Sequence, residues 1–161
     1  MKQKKEFLNR IKLSFKIICY SGIVIFFGSC NNDDVSTTPD CGCESETLVT
    51  NPETANLSGK LFYKNDSSGN NFNNKKYWIV YIEDNCANCI HSLIVCNENI
   101  LDSIPNIPTF TNINDIIGSA NELNKAIDIK FSGELKTICN PIFAPADYTY
   151  NNITLISIEQ Q

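Results

Sequence analysis

Cys86-Ala87-Asn88-Cys89 has the spacing used by dithiol redox sites. With Cys86 as nucleophile and Cys89 as resolving thiol, such a pair exchanges electrons with a partner's thiols. A helix beginning at Cys86 would favour its thiolate through the helix dipole. The remaining cysteines open two other chemistries. The chain has eight, and Cys19 and Cys30 belong to the N-terminal segment treated below. That leaves Cys41, Cys43, Cys86, Cys89, Cys96 and Cys139. An even set in an exported domain points to structural disulfides, in any of fifteen connectivities. Each would stabilise a small core by about 2 to 4 kcal/mol. Alternatively, Cys41-Gly42-Cys43 with Cys86 and Cys89 supplies four thiolates for zinc, with His91 close by in sequence. Oxidation outside the cytoplasm works against free thiolates, so no metal and no other cofactor is expected. His91, the one histidine, reads as a partly buried structural residue.

Export is read from the N-terminus. Lys2, Lys4, Lys5, Arg10, Lys12 and Lys16 stand against a single acid, Glu6, and the apolar run Ile17 to Gly28 follows. That order is the secretory signal pattern. The run makes about 18 Å of helix, too short for a hydrocarbon core of roughly 30 Å. At Phe27-Gly28-Ser29-Cys30 the chain resembles the bacterial lipoprotein signal, the lipobox, although Phe27 stands where Leu is usual. The resemblance implies cleavage after Ser29 and acylation of Cys30. Two or more acyl chains hold a domain stably at a membrane. Asn31-Asn32-Asp33-Asp34 then resembles the acidic start of lipoproteins sent to the outer membrane, periplasmic or surface-exposed. The expected organisation is a signal peptide over 1–29, a flexible polar tether over 30–55 and one domain over 56–161.

Charge narrows the partners. Six of the 13 bases and one of the 18 acids lie in residues 1–29, so residues 30–161 carry 7 bases against 17 acids. No basic face is left to neutralise phosphates, and nucleic acid is excluded as a partner. The membrane is expected to be met through the lipid on Cys30 alone.

The elements that must position these residues follow from apolar periodicity. Leu57 to Lys64 alternates with Phe62 as the exception and predicts a first strand. Asp66 to Asn74 is dense in turn residues. Lys76 to Glu83 is apolar on both faces, which suits a central strand. Asp84 to Asn88 reads as a turn and His91 to Asn97 as a third strand, although residues 89–101 also fit a helix. Ser119-Ala120-Asn121-Glu122 matches a capping box and predicts a short helix. Ile127 to Lys136 alternates cleanly, and Ile153 to Ile158 closes the chain as a strand.

A strand leading into Cys86-Ala87-Asn88-Cys89 resembles the thioredoxin-like active site over about twenty residues. The rest of the chain departs from that pattern. Pro108 follows Cys89 too closely to be the family's cis-proline, and the chain ends in a strand instead of a helix. Three strands, a helix and two strands resemble instead the OB-fold, a five-stranded partly open barrel. The expected class is mainly β (α+β), as in small exported lipoproteins with similar closing strands. A barrel of this kind implies ligand contacts flanked by residues 64–75 and 140–151, where Phe143, Tyr148 and Tyr150 could present aromatic rings. The leading expectation is therefore a non-enzymatic binding or interaction module for a protein or glycan ligand. The alternative is a tethered thiol–disulfide oxidoreductase using Cys86 and Cys89.

Overall fold

Alternating apolar residues decide the main strands, because each strand turns every second side chain to the same face. The computed structural model describes residues 38–67, 72–83, 85–86, 88–111, 123–141 and 143–161. Among them the strands are β1 (Thr47–Asn51), β2 (Leu57–Lys64), β3 (Lys76–Ile82), β4 (Ile90–Val95), β5 (Thr109–Phe110), β6 (Ile127–Lys136) and β7 (Tyr148–Gln160). β2, β3 and β4 form an antiparallel meander. β4 then pairs in parallel with β7, β7 antiparallel with β6, and β6 returns antiparallel to β2. These five strands close a barrel, with β1 added on β6 and the two-residue β5 on β2. The fold is mainly β and matches an OB-like, partly open barrel.

Two apolar clusters lie on opposite faces of this sheet. The barrel interior is filled by Leu61, Ile79, Leu93, Ile129, Phe131, Ile153 and Leu155, all buried. The outer face of β2, β3 and β4 is covered by a second cluster built on Phe62, Trp78, Val80, Ile94 and Phe110. Phe62, the residue that breaks the alternation of its strand, thus has a core of its own and stacks at 6.5 Å from Trp78. Lys64, fully buried on that same face, donates to the Phe72 carbonyl and lies 5.3 Å from the Trp78 ring. Burial pulls its ammonium pKa below the ordinary lysine value, against the raising effect of Asp66.

Other differences from the sequence reading have local causes. Of the two readings open for residues 89–101, the strand holds at Ile90–Val95, and a 3-10 helix follows at Glu98–Ser103. The β-branched residues Ile90, Ile94 and Val95 favour a strand, and a place between β3 and β7 gives it partners on both sides. The structured domain also begins before residue 56. β1 pairs with the end of β6, and residues 41–45 are joined to the domain by two disulfides and the Gly42 N–H, which donates to the Thr137 carbonyl at 2.8 Å. The polar composition that reads as a tether belongs there to a covalently held edge. In β6 the register against β7 shifts between Ser132 and Gly133, and a Cβ on Gly133 would lie 2.6 Å from the Thr154 carbonyl. Ser132 is buried by this shift and meets the Ser157 hydroxyl at 2.6 Å. Among the described residues, four of the five non-glycine residues with positive φ are asparagines, Asn56, Asn73, Asn106 and Asn140, the residue type that enters this region most easily after glycine. The capping box at Ser119–Glu122 lies outside the described residues, and Leu123 beside it is helical.

Candidate redox site

β3 and β4 form a hairpin, and Cys86 and Cys89 sit in its connection. Glu83 N–H donates to the Cys89 carbonyl at 3.3 Å, extending the β3–β4 ladder by one pair. Inside that pair, Cys86 N–H donates to the Glu83 carbonyl and Cys89 N–H to the Cys86 carbonyl, both at 3.0 Å. Ile90 N–H, at the base of the turn, donates to the Asp147 carbonyl at 2.8 Å, which ties the connection to the start of β7. The two cysteines are joined as a disulfide with a Cα–Cα distance of 5.3 Å, and both are half-buried. Cys86 does not start a helix. The expected help of a helix dipole to its thiolate is therefore absent, and the resemblance to the thioredoxin-like site ends at the cysteine spacing.

Register decides what surrounds the pair. Tyr81 opposes His91 and Ile82 opposes Ile90, so Glu83 opposes Cys89. With a side-chain period of two, Glu83, Cys89, Tyr81 and His91 occupy two successive rungs of one face. The His91 ring stacks on Tyr81 with centroids 4.5 Å apart and planes 18° apart. Its Nδ1 lies 2.8 Å from Thr149 Oγ1, and its Nε2 lies 3.6 Å from the Glu83 carboxylate. Tyr81 in turn meets the interior ring of Phe131 edge-on at 5.7 Å. Burial, and then the Glu83 charge, push the Tyr81 hydroxyl above its ordinary pKa.

The other cysteines are also paired. Cys41 bonds Cys139 and Cys43 bonds Cys96, across sequence separations of 98 and 53. This divides the four thiolates Cys41, Cys43, Cys86 and Cys89 among three disulfides, which removes the zinc reading. Among the described residues no group of three or more His, Cys, Asp or Glu is arranged to hold a metal ion.

Two of the three predicted aromatic residues are brought together: Tyr148 and Tyr150 share one face of β7, and burial, then Tyr148, push the Tyr150 hydroxyl above its ordinary pKa. Phe143 is 99% exposed, whereas Tyr150 packs edge-on against Phe72 at 5.7 Å and Trp78 at 6.3 Å. Tyr148 opens β7 opposite Ile90, beside the cysteine turn. Cys30 lies outside the described residues. Sequence reasoning gave Glu83, Tyr81 and Thr149 no role beside these cysteines. Pairing the hairpin symmetrically about its turn would have found the first two, but Thr149 depends on the parallel contact with β7.

The sequence matches no protein-family model and no curated protein. No helix among the described residues is long and apolar enough to cross a membrane. The non-enzymatic binding module, and with it the expectation of no enzymatic activity, is overturned by the Cys86–Cys89 disulfide, which favours a thiol-based redox role.

Proposed function

We propose that the chain is an exported, lipid-anchored thiol–disulfide oxidoreductase whose working pair is Cys86 and Cys89. The observation that carries this reading is the contrast in what the disulfides close. Cys86 and Cys89 are three positions apart, in a turn that three backbone hydrogen bonds already close. Opening that bond releases little chain, so the pair can alternate between disulfide and dithiol while the barrel stays folded. Both sulfur-bearing residues are half-buried at the end of a hairpin, within reach of a partner.

In the oxidising direction a thiolate of the partner attacks Sγ of Cys86, and the Cys86–Cys89 bond breaks with its electron pair on Cys89. The partner's second thiolate then attacks the mixed disulfide and releases Cys86. The partner dithiol becomes a disulfide, and the protein disulfide becomes a dithiol that a second disulfide-bearing partner reoxidises. The substrate class is a cysteine-bearing polypeptide outside the cytoplasm. The signal-like run Ile17 to Gly28 and the lipobox-like Cys30 support lipid attachment to a membrane, and the acidic Asn31-Asn32-Asp33-Asp34 supports the outer membrane, with the domain beside the acyl chains and not in the bilayer.

The test is thiol trapping of the purified domain across a graded glutathione redox buffer, read by peptide mapping. Cys86–Cys89 should open under mild conditions while Cys41–Cys139 and Cys43–Cys96 hold, and Cys86→Ser should abolish exchange with a reduced, unfolded polypeptide. Opening of all three bonds together, or persistence of Cys86–Cys89 after the others, would sink the proposal.

A further inference from the structure

We propose that His91 governs the Cys86–Cys89 pair through Glu83, as a positioning residue that balances the Glu83 charge and returns a proton to Cys89 when the disulfide opens. This rests on the redox reading above.

Geometry comes first. Glu83 and Cys89 are the last opposed pair of the hairpin, and such pairs hold their Cβ atoms about 5 Å apart. His91 is two residues further along β4 on the same face, about 6.6 Å along the strand. The imidazole is fixed on three sides, by the Tyr81 ring, by Thr149 at Nδ1 and by Glu83 at Nε2. Its Nε2 is shielded from solvent and makes no hydrogen bond, since the 3.6 Å contact to Glu83 exceeds hydrogen-bond length. A fixed ring with an unmet polar atom directed at the carboxylate opposite Cys89 is more than packing requires.

The chemistry follows from charge. A lone carboxylate beside Cys89 disfavours a thiolate there, and a protonated imidazole behind the carboxylate cancels that effect. When attack at Cys86 leaves the electron pair on Cys89, the proton on His91 passes along Glu83 to that sulfur. His91 is then neutral, Glu83 unchanged, Cys89 a thiol, and solvent reprotonates the ring. The titratable groups set around it are Tyr81 on β3, Glu83 just beyond its end, the two cysteines of the turn and Asp147 before β7, whose carbonyl binds Ile90. Tyr81, raised by burial, stays a neutral stacking surface through that range.

The experiment measures the rate at which glutathione opens Cys86–Cys89 in the whole domain between pH 5 and 8.5. Each rate is divided by that of an unstructured disulfide peptide, Cys-Ala-Asn-Cys, so the reductant's own ionisation cancels. For the wild type this ratio should fall about tenfold across that range. The change is smaller than for full general acid catalysis because thiolates leave readily without a proton. His91→Gln and, independently, Glu83→Gln should flatten the profile, with the fold of each checked by circular dichroism. A wild-type profile unchanged in both variants would overturn the role of His91 and leave the redox reading standing. A wild-type disulfide that does not open at all would remove both.

Discussion

β4 has a cysteine just beyond each end, and the two disulfides they form do opposite work. At its far end Cys96 joins Cys43, and two residues away on that partner segment, past Gly42, Cys41 joins Cys139. This clasp ties residues 41–45 to the ends of β4 and β6. Lys136 adds a bond from Nζ to the Ser45 carbonyl at 2.8 Å. At its near end Cys89 joins Cys86 within a single turn. By loop-closure entropy the clasp bonds, separated by 98 and 53 positions, stabilise by about 4.7 and about 4 kcal/mol, and the turn bond by about 2. A disulfide that encloses a long stretch of chain is needed for stability and is a poor choice for chemistry. One that encloses almost none is free to cycle.

The largest effect expected is at the clasp. Replacing Cys41, Cys139, Cys43 and Cys96 together by serine removes roughly 8 to 9 kcal/mol, comparable with the whole stability of a small domain. Circular dichroism at 37 °C should show an unfolded chain. A folded quadruple variant would break the comparison outright.

Next is Asn97, beside Cys96. Its side chain donates to the Leu155 carbonyl at 2.9 Å and accepts from the Leu155 N–H at 2.8 Å. Asn97→Ala strands both groups of a buried residue and should cost about 2 to 3 kcal/mol in urea unfolding. Removing the turn bond, Cys86→Ser with Cys89→Ser, should cost about 2 kcal/mol at most, because backbone bonds already close the turn. It should nonetheless abolish thiol exchange. A loss as large as that at the clasp would mean the turn bond is structural.

The smallest effect is in alkali. The folded Tyr81 pKa is raised, so the unfolded chain gives up this proton first, and stability falls as pH rises from 10 toward the folded value. Hydrogen exchange should show the turn end loosening before the clasp end, and Tyr81→Phe should remove the difference.

Most of the barrel was legible in the chain, because period-two patterning is local. Leu57 to Lys64 and Ile127 to Lys136 are strands where alternation puts them, and the run apolar on both faces at Lys76 to Glu83 is a strand to within a residue. What misled was composition. Residues 47–51, set within a polar stretch, form β1 because β6 outruns the barrel and offers a free edge, and Tyr148 and Tyr150 lie in β7 because β4 supplies a parallel partner there. Neither partner is visible from the local sequence.

The sequence by itself determined the basic and apolar N-terminal segment, the acidic balance, the period-two strands and a redox-capable Cys86-Ala87-Asn88-Cys89. These depend on residue type and short spacing alone. Only the tertiary structure decided which of the fifteen cysteine connectivities exists, since pairing requires two chain-distant Cα atoms to come within about 7 Å. It also set Glu83 opposite Cys89 and Thr149 against His91. Those neighbours follow from strand register and barrel closure, which depend on how distant apolar faces pack together.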